Sequence, residues 1–263
     1  MNDQDILALY DRALRRDVEY PDMRREAFPD LVRLVDLTGR QGAVIYSQLD
    51  EQSADATIEE QIAYFEGIRQ DFEWKVFGYD HPPDLVARLK ARGFEIDEEE
   101  ALLIYDLDHA APEMLAPVTH DIRQLTEPEQ VAPAIAVLEQ VWNGSKDWLA
   151  ERLSTDLRER PETLRLYTAY ADGKPVSAAW MYVNPGTPFA GLWGGSTLEG
   201  YRGRGLYSAL LATRVQEARR LGVRFLTIDA SPMSRPIVQK HGFRFMTLMH
   251  ACVWAVDVDT TRL

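Results

Sequence analysis

The sequence predicts a mixed α/β fold, an α+β mixed sheet built as two similar halves, and three observations carry that expectation. Two stretches repeat one order of strand, proline-bearing polar loop, short helix, Gly-Phe and β-rich segment: 72–107 and 225–258. Between and around them, runs with helical apolar spacing alternate with short β-branched and aromatic runs. A turn rich in glycine and arginine, within TLEGYRGRGLYSALL (197–211), joins a strand to a helix.

Taken in order, residues 1–17 are expected to form a helix with Ile6, Leu7, Tyr10 and Leu14 on one face. AVIYSQL (43–49) is expected as a strand, and 58–72 as an amphipathic helix carrying Ile58, Ile62, Phe65 and Ile68. In the first repeat Gly93 ends the helix in a left-handed conformation and Phe94 starts back into the core; Gly242 and Phe243 do the same in the second. An internal duplication explains this pairing, with chance likeness of two strand–helix–strand units as the alternative. The boundary is expected in HAAPEMLAPVTH (109–120), dividing the chain into domains 1–115 and 118–263. After it come a strand at 121–126, helices at 128–142 and 147–160, and a hairpin over 163–183 that turns at Asp172-Gly173. A strand at 192–198 then leads to the glycine-arginine turn and a helix ending near Leu221. Leu206, Leu210, Ala218 and Leu221 form its apolar stripe, with Glu and Arg expected on the other face.

The chain has 263 residues and a formal net charge of −13. A nucleic-acid binder usually carries a basic footprint, and this chain shows the reverse. An acidic surface serves solubility, or steers cationic small molecules. The longest apolar runs, such as 178–183 and 249–256, are too short to span a bilayer. The acidic N-terminus does not read as a secretory signal, and Cys252 is the single cysteine, so neither a disulfide nor a Cys-based zinc site is expected. A cytoplasmic protein without nucleic-acid or membrane partners is the expectation.

The chemistry expected of the turn is phosphate binding without a metal. A helix N-terminus carries partial positive charge and unpaired N–H groups. Gly200, Gly203 and Gly205 let amides approach an anion closely, while Arg202 and Arg204 add charge-assisted bonds. Gly200 and Gly205 have P-loop spacing, but Leu206 and Tyr207 stand where Lys and Ser/Thr are needed. Gly203-x-Gly205-x-x-Ser208 imitates a dinucleotide fingerprint, with Ser208 in place of the third glycine. The segment Arg202-Gly203-Arg204-Gly205-Leu206 resembles instead the Arg/Gln-x-x-Gly-x-Gly/Ala signature of the Gcn5-related N-acetyltransferase (GNAT) superfamily, with Tyr207 at the last position. The resemblance covers about residues 120 to 258. It implies a tandem GNAT-like acyl-CoA N-acyltransferase fold, with the amides of Arg202, Gly203, Arg204, Gly205, Leu206 and Tyr207 holding the pyrophosphate of acetyl-CoA. It also implies a splayed strand, here around Thr197 and Leu198, that aligns the pantetheine arm.

In the first half the segment after the strand is DEQSADAT (50–57), without glycine or arginine and with Asp50, Glu51 and Asp55 where phosphates would approach. Like charges there repel a pyrophosphate, so this half is expected to be degenerate and to lack the cofactor. Its remaining roles are to cover the active domain, to shape the acceptor pocket or to form a homodimer.

Catalytic groups are less legible. Many GNAT proteins protonate the thiolate from a tyrosine in the helix before Gly-Phe; the matching position here is Val238, and the asparagine usual near Ser231 is missing as well. The polar candidates are Asp229 at the end of the central strand, Ser231 after it, and Glu199 after the splayed strand; turn capping accounts equally for Asp229, and a solvated turn carboxylate for Glu199. His241 meets a helix C-terminus, and His250 and Cys252 are expected to pack. Trp142, Asn143 and Trp148 fall where the resemblance implies an acceptor wall suited to an apolar or cationic acceptor. The expected activity is direct acetyl transfer from acetyl-CoA to a small-molecule amine, a cationic one being favoured. A non-catalytic acyl-CoA sensor, or an acyltransferase using a longer acyl-CoA, remains the alternative.

Overall fold

The computed structural model describes residues 1–256; the last two residues of the second repeat and the end of the expected second domain lie outside them. The chain opens with α1 (Asp3–Tyr10), capped by Asn2 and continued by a π-helical turn to Arg16, with Ile6 and Tyr10 buried. Strands β1 (Met23–Ala27), β2 (Leu31–Asp36) and β3 (Gln41–Ser47) precede helix α2 (Ala54–Gly67). Then come β4 (Asp71–Phe77), α3 (Leu85–Ala91), the short β5 (Glu95–Ile96) and β6 (Glu100–Asp106). The one-turn α4 (Pro112–Leu115) leads to β7 (Asp121–Leu125), α5 (Ala132–Trp142) and α6 (Asp147–Glu159). The series closes with β8 (Leu164–Ala171), β9 (Lys174–Val183), β10 (Phe189–Thr197), α7 (Leu206–Arg220), β11 (Phe225–Ala230), α8 (Arg235–Lys240) and β12 (Arg244–Trp254). Each half thus runs three strands, helix, strand, helix, strand: β1–β2–β3–α2–β4–α3–β6 and β8–β9–β10–α7–β11–α8–β12.

Two compact units emerge, and neither is one continuous stretch. The first comprises 1–102, 229–235 and the described residues from 245 onward; the second comprises 103–228 and 236–244. In the first unit the strand order is β1-β2-β3-β4-β12, with β5 also paired to β12. Thus the C-terminal strand completes the sheet of the N-terminal half, Met249 opposite Phe77 and Trp254 opposite Phe72 in antiparallel register. Its core joins Val44, Ile58, Phe65, Phe72, Trp74, Leu89 and Phe94 to Cys252, with Phe65 stacked on Phe72 at 4.2 Å. The second unit begins inside β6, so the 109–120 stretch falls within it, and α4 there buries Met114. Its strands run β6-β11-β10-β9-β8-β7, and Leu125, Val137, Leu153, Leu166 and Trp180 fill the core under α5 and α6. No helix among the described residues is long and apolar enough to cross a membrane.

Two expectations need correction, and two strands lie in a stretch for which none was stated. The helix over 58–72 starts earlier, at Ala54, and stops at Gly67; Arg69 takes a left-handed φ of 54°, Ile68 is exposed, and Phe72 already lies in β4. Strands β1 and β2 were hidden by MRREA and LVRLVD, whose charges break the alternation that marks a half-buried strand; Arg33 is nonetheless buried, held by Glu26 and Gln61 over the Tyr64 ring. Arg214 does not join the solvated face of α7: it is among the largest fully buried side chains. The reason is register, since 206, 210, 214 and 218 are spaced by four residues and lie along one helical stripe.

Candidate acyl-CoA site

The site in the second unit is built from β10, the turn after it and the start of α7. Strand β10 pairs with β9 throughout but with β11 only from Phe189 to Gly191, opposite Phe225 to Thr227. From Leu192 to Thr197 the two parallel strands have parted, which leaves one edge of β10 open. The parting coincides with a bulge: the β9 register shifts between Trp193 and Ser196, so Gly194 and Gly195 together stand opposite the single residue Ala179. Both glycines admit aromatic rings. A Cβ on Gly194, whose φ is +67°, would come within 1.8 Å of the Trp180 ring, and one on Gly195 within 2.8 Å of Tyr207.

A 3-10 turn, Glu199–Tyr201, follows, and Gly205 caps α7 in the left-handed conformation at φ 76°. The first backbone bond into α7 is Ala209 N–H to Gly205 O. The amides from Gly203 to Ser208 therefore donate to nothing else among the described residues. Six consecutive N–H groups at the positive end of a fifteen-residue helix form a ready anion nest. Arg202 Nε rests 3.3 Å from Thr197 O, and the Arg204 guanidinium lies over the Tyr201 ring at 4.9 Å. Both side chains are exposed and tethered only by weak contacts, so each can turn toward an anion. His120 Nε2 lies 3.1 Å from Arg204 O, bracing the turn from the start of β7.

At the vertex, where β10 and β11 part, two polar groups meet on the face of Gly191. The Trp193 indole nitrogen lies 2.9 Å, and Thr227 Oγ1 3.7 Å, from the point a Gly191 Cβ would occupy. Neither has a protein partner among the described residues. Trp142, at the end of α5, donates from its indole nitrogen to Ser196 Oγ at 2.8 Å and so ties the α5–α6 connection to the bulge. Trp142 and Trp148 are both more than half exposed, and Asn143 takes a φ of 46° at the bend.

The sequence-derived candidates separate. Thr197, Leu198 and Arg202 to Tyr207 gather around the turn in the second unit, as does Glu199, whose carbonyl receives the Arg202 N–H and whose side chain is exposed. Asp229 and Ser231 belong to the first unit. Asp229 pairs with Lys75 Nζ at 2.6 Å, and Asp229 together with Tyr10 and Glu73 holds that ammonium well above the usual lysine range despite its burial. Ser231 caps its turn by accepting from Ser234 N–H. Val238 is fully buried. Sequence reasoning missed Trp193 and Thr227, which only the strand register brings together. It also missed the bond of 3.0 Å between Ser208 Oγ and His241 Nε2, which links the first turn of α7 to the end of α8. Among the described residues no group of three or more His, Cys, Asp or Glu side chains is placed to hold a metal ion.

The corresponding cleft of the first unit is occupied by its own side chains. There β3 pairs with β4 only from Gln41 to Val44. Beyond that point Arg15 Nε donates to Ile45 O at 2.8 Å, and Trp74 Nε1 donates to Ser47 Oγ at 3.1 Å. At the following turn the Asp50 carboxylate accepts from the amides of Gln52 and Ser53, at 2.8 and 2.7 Å. Those bonds to Ser53 and Gln52 hold the Asp50 carboxyl below the usual range.

Residues 121–243 match the model of the GNAT acetyltransferase family. The fold is shared along nearly the whole chain with solved structures. A GCN5-related N-acetyltransferase from Kribbella flavida is 15% identical with a TM-score of 0.66, over 95% of this chain and 93% of that one. A functionally unknown conserved protein from Staphylococcus epidermidis is 13% identical with a TM-score of 0.67, over 90% and 96%. A tandem GNAT protein from the clavulanic acid biosynthesis pathway is 14% identical with a TM-score of 0.60, over 91% and 85%. No curated protein matches the sequence.

Proposed function

We propose, from the premise that the chain carries a GNAT-family acetyltransferase domain over 121–243, that it is an acetyl-CoA-dependent N-acetyltransferase of the cytoplasm acting on a small-molecule amine. The observation that carries this reading is the run of unbonded amides from Gly203 to Ser208 beside the open edge of β10. Those amides would hold the cofactor diphosphate, with Arg202 and Arg204 closing over it. The open edge from Leu192 to Thr197 would take the amide-bearing pantetheine arm as an added strand. That arm leads the thioester to the vertex, where Trp193 N–H and the Thr227 hydroxyl stand ready to donate to its carbonyl oxygen or to the departing sulfur.

The transfer itself is direct. The amine nitrogen bonds to the thioester carbon, the C–S bond breaks with its electron pair on sulfur, and one proton passes from nitrogen to sulfur through the site or through water. The exposed tryptophans Trp142 and Trp148 favour a cationic or apolar acceptor, and the net charge of −13 favours a cation. Thiol release from acetyl-CoA across a panel of polyamines, aminoglycosides and basic amino-acid derivatives tests the activity. Tight cofactor binding with no release over that panel would favour the sensor instead. Replacing Arg202→Ala and Arg204→Ala together is expected to weaken acetyl-CoA binding by about 2 kcal/mol, measured by calorimetry.

A further inference from the structure

One buried cation in the second unit has no part in the chemistry above. Arg214 is 2% exposed, and no carboxylate pairs with it among the described residues. Its Nε donates to Leu210 O at 3.1 Å within α7, and its Nη1 reaches the carbonyls of Trp180 at 3.2 Å and Trp193 at 3.4 Å. Burial pushes it down to about 10, which leaves it charged at neutral pH. An isolated buried charge is costly, and buried arginines are ordinarily paired. Arg15, the buried arginine gripping the matching strand of the first unit, follows that rule, with Asp80 at 2.6 Å and Asp11 at 2.8 Å.

The contacts of Arg214 explain what the unpaired charge does. Trp180 and Trp193 are register partners at the last pair before the Gly194–Gly195 bulge. A bulge disrupts the ladder and leaves carbonyls in need of donors. One guanidinium serves both strands at that point, from a helix whose N-terminus forms the anion nest.

We infer that Arg214 is a positioning residue of the acyl-CoA site: by bridging the Trp180 and Trp193 carbonyls it holds the bulge that turns β10 away from β11, and so keeps open the edge that receives the pantetheine arm. This inference rests on the proposed cofactor site. It requires that Arg214 matter for the arm and not for the diphosphate, whose partners lie in the turn.

Two ligands separate these outcomes: acetyl-CoA, and adenosine 3′-phosphate 5′-diphosphate, the nucleotide portion of the cofactor without the arm. Calorimetry on the full chain is expected to show Arg214→Met binding acetyl-CoA about tenfold or more weakly, with binding of the nucleotide changed less than about threefold. Arg214→Gln, which keeps a donor but no charge, and Arg214→Lys are expected to fall between. Circular dichroism establishes that each variant is folded. A general loss of stability would weaken both ligands together, and that result would overturn the inference. So would unchanged acetyl-CoA affinity in all three variants, or failure of all three to fold, which would assign Arg214 to the core alone. If the unaltered protein binds neither ligand, the cofactor site itself is wrong.

Discussion

The close approach of the Trp180 ring to Gly194 makes that glycine the most sensitive backbone position in the site. A Cβ there would overlap the ring at 1.8 Å and would also require a residue at φ +67°. Gly194→Ala is therefore expected to destabilise the fold by about 3 kcal/mol or more, read as a lower denaturant midpoint. Gly200→Ala is the control: nothing lies within 4 Å of its Cβ position and no positive φ is required, so stability should stay within about 0.5 kcal/mol. These two glycines look alike in the sequence, and only packing tells them apart. Arg214 was legible in principle, because it stands four residues from both Leu210 and Ala218 on the apolar stripe. What hid it was the assumption that arginine belongs on the solvated face, which fails where unpaired strand carbonyls are waiting for a donor. The residues proposed to bind an anion were legible because their chemistry is local: glycine, arginine and a helix start are neighbours in sequence. The vertex pair Trp193 and Thr227 was not, since it depends on the register of two strands separated by a helix.

Helices α7 and α8 are linked by Ser208 and His241, and the link has a pH signature. Burial lowers His241 from its ordinary value of 6.5, so the unfolded chain binds this proton more readily than the folded one. Its contribution is intact above pH 6.5 and is lost as pH falls from there through the depressed folded value. Urea midpoints from pH 8 to pH 5 should therefore drop less for His241→Gln than for the unaltered protein; equal slopes would contradict the assignment. At this scale the hairpin at Asp172-Gly173, with φ 52° and 73°, and the helix ends at Gly93 and Gly242 follow from turn chemistry visible in the sequence. Strands β1 and β2 escaped notice because Arg33, buried on β2, is held by Glu26 of β1 and stacked over Tyr64, and a charged residue satisfied inside a fold mimics a surface pattern.

Over the whole molecule, the internal repeat was readable, but the exchange of the last strand was not. Nothing local in 245–254 says which half it completes, because an antiparallel register is chosen by side chains far away in sequence. The repeat also frames the functional asymmetry. In the second unit, among the described residues, the amides at the turn are unbonded and the strand edge is open. In the first, the Asp50 carboxylate takes the amides, Arg15 takes the Ile45 carbonyl and Trp74 bonds the Ser47 hydroxyl. Under the proposed function one cofactor per chain is expected, and calorimetric stoichiometry near one would agree with it, whereas two would not. Residue-resolved amide shifts, followed by NMR as acetyl-CoA is added to the full chain, test the central claim most directly. Signals of Gly203 to Ser208 should move and saturate at one equivalent while those of Gln52 and Ser53 stay in place. Movement at Gln52 and Ser53, or stationary signals from Gly203 to Ser208 under saturating cofactor, would contradict it.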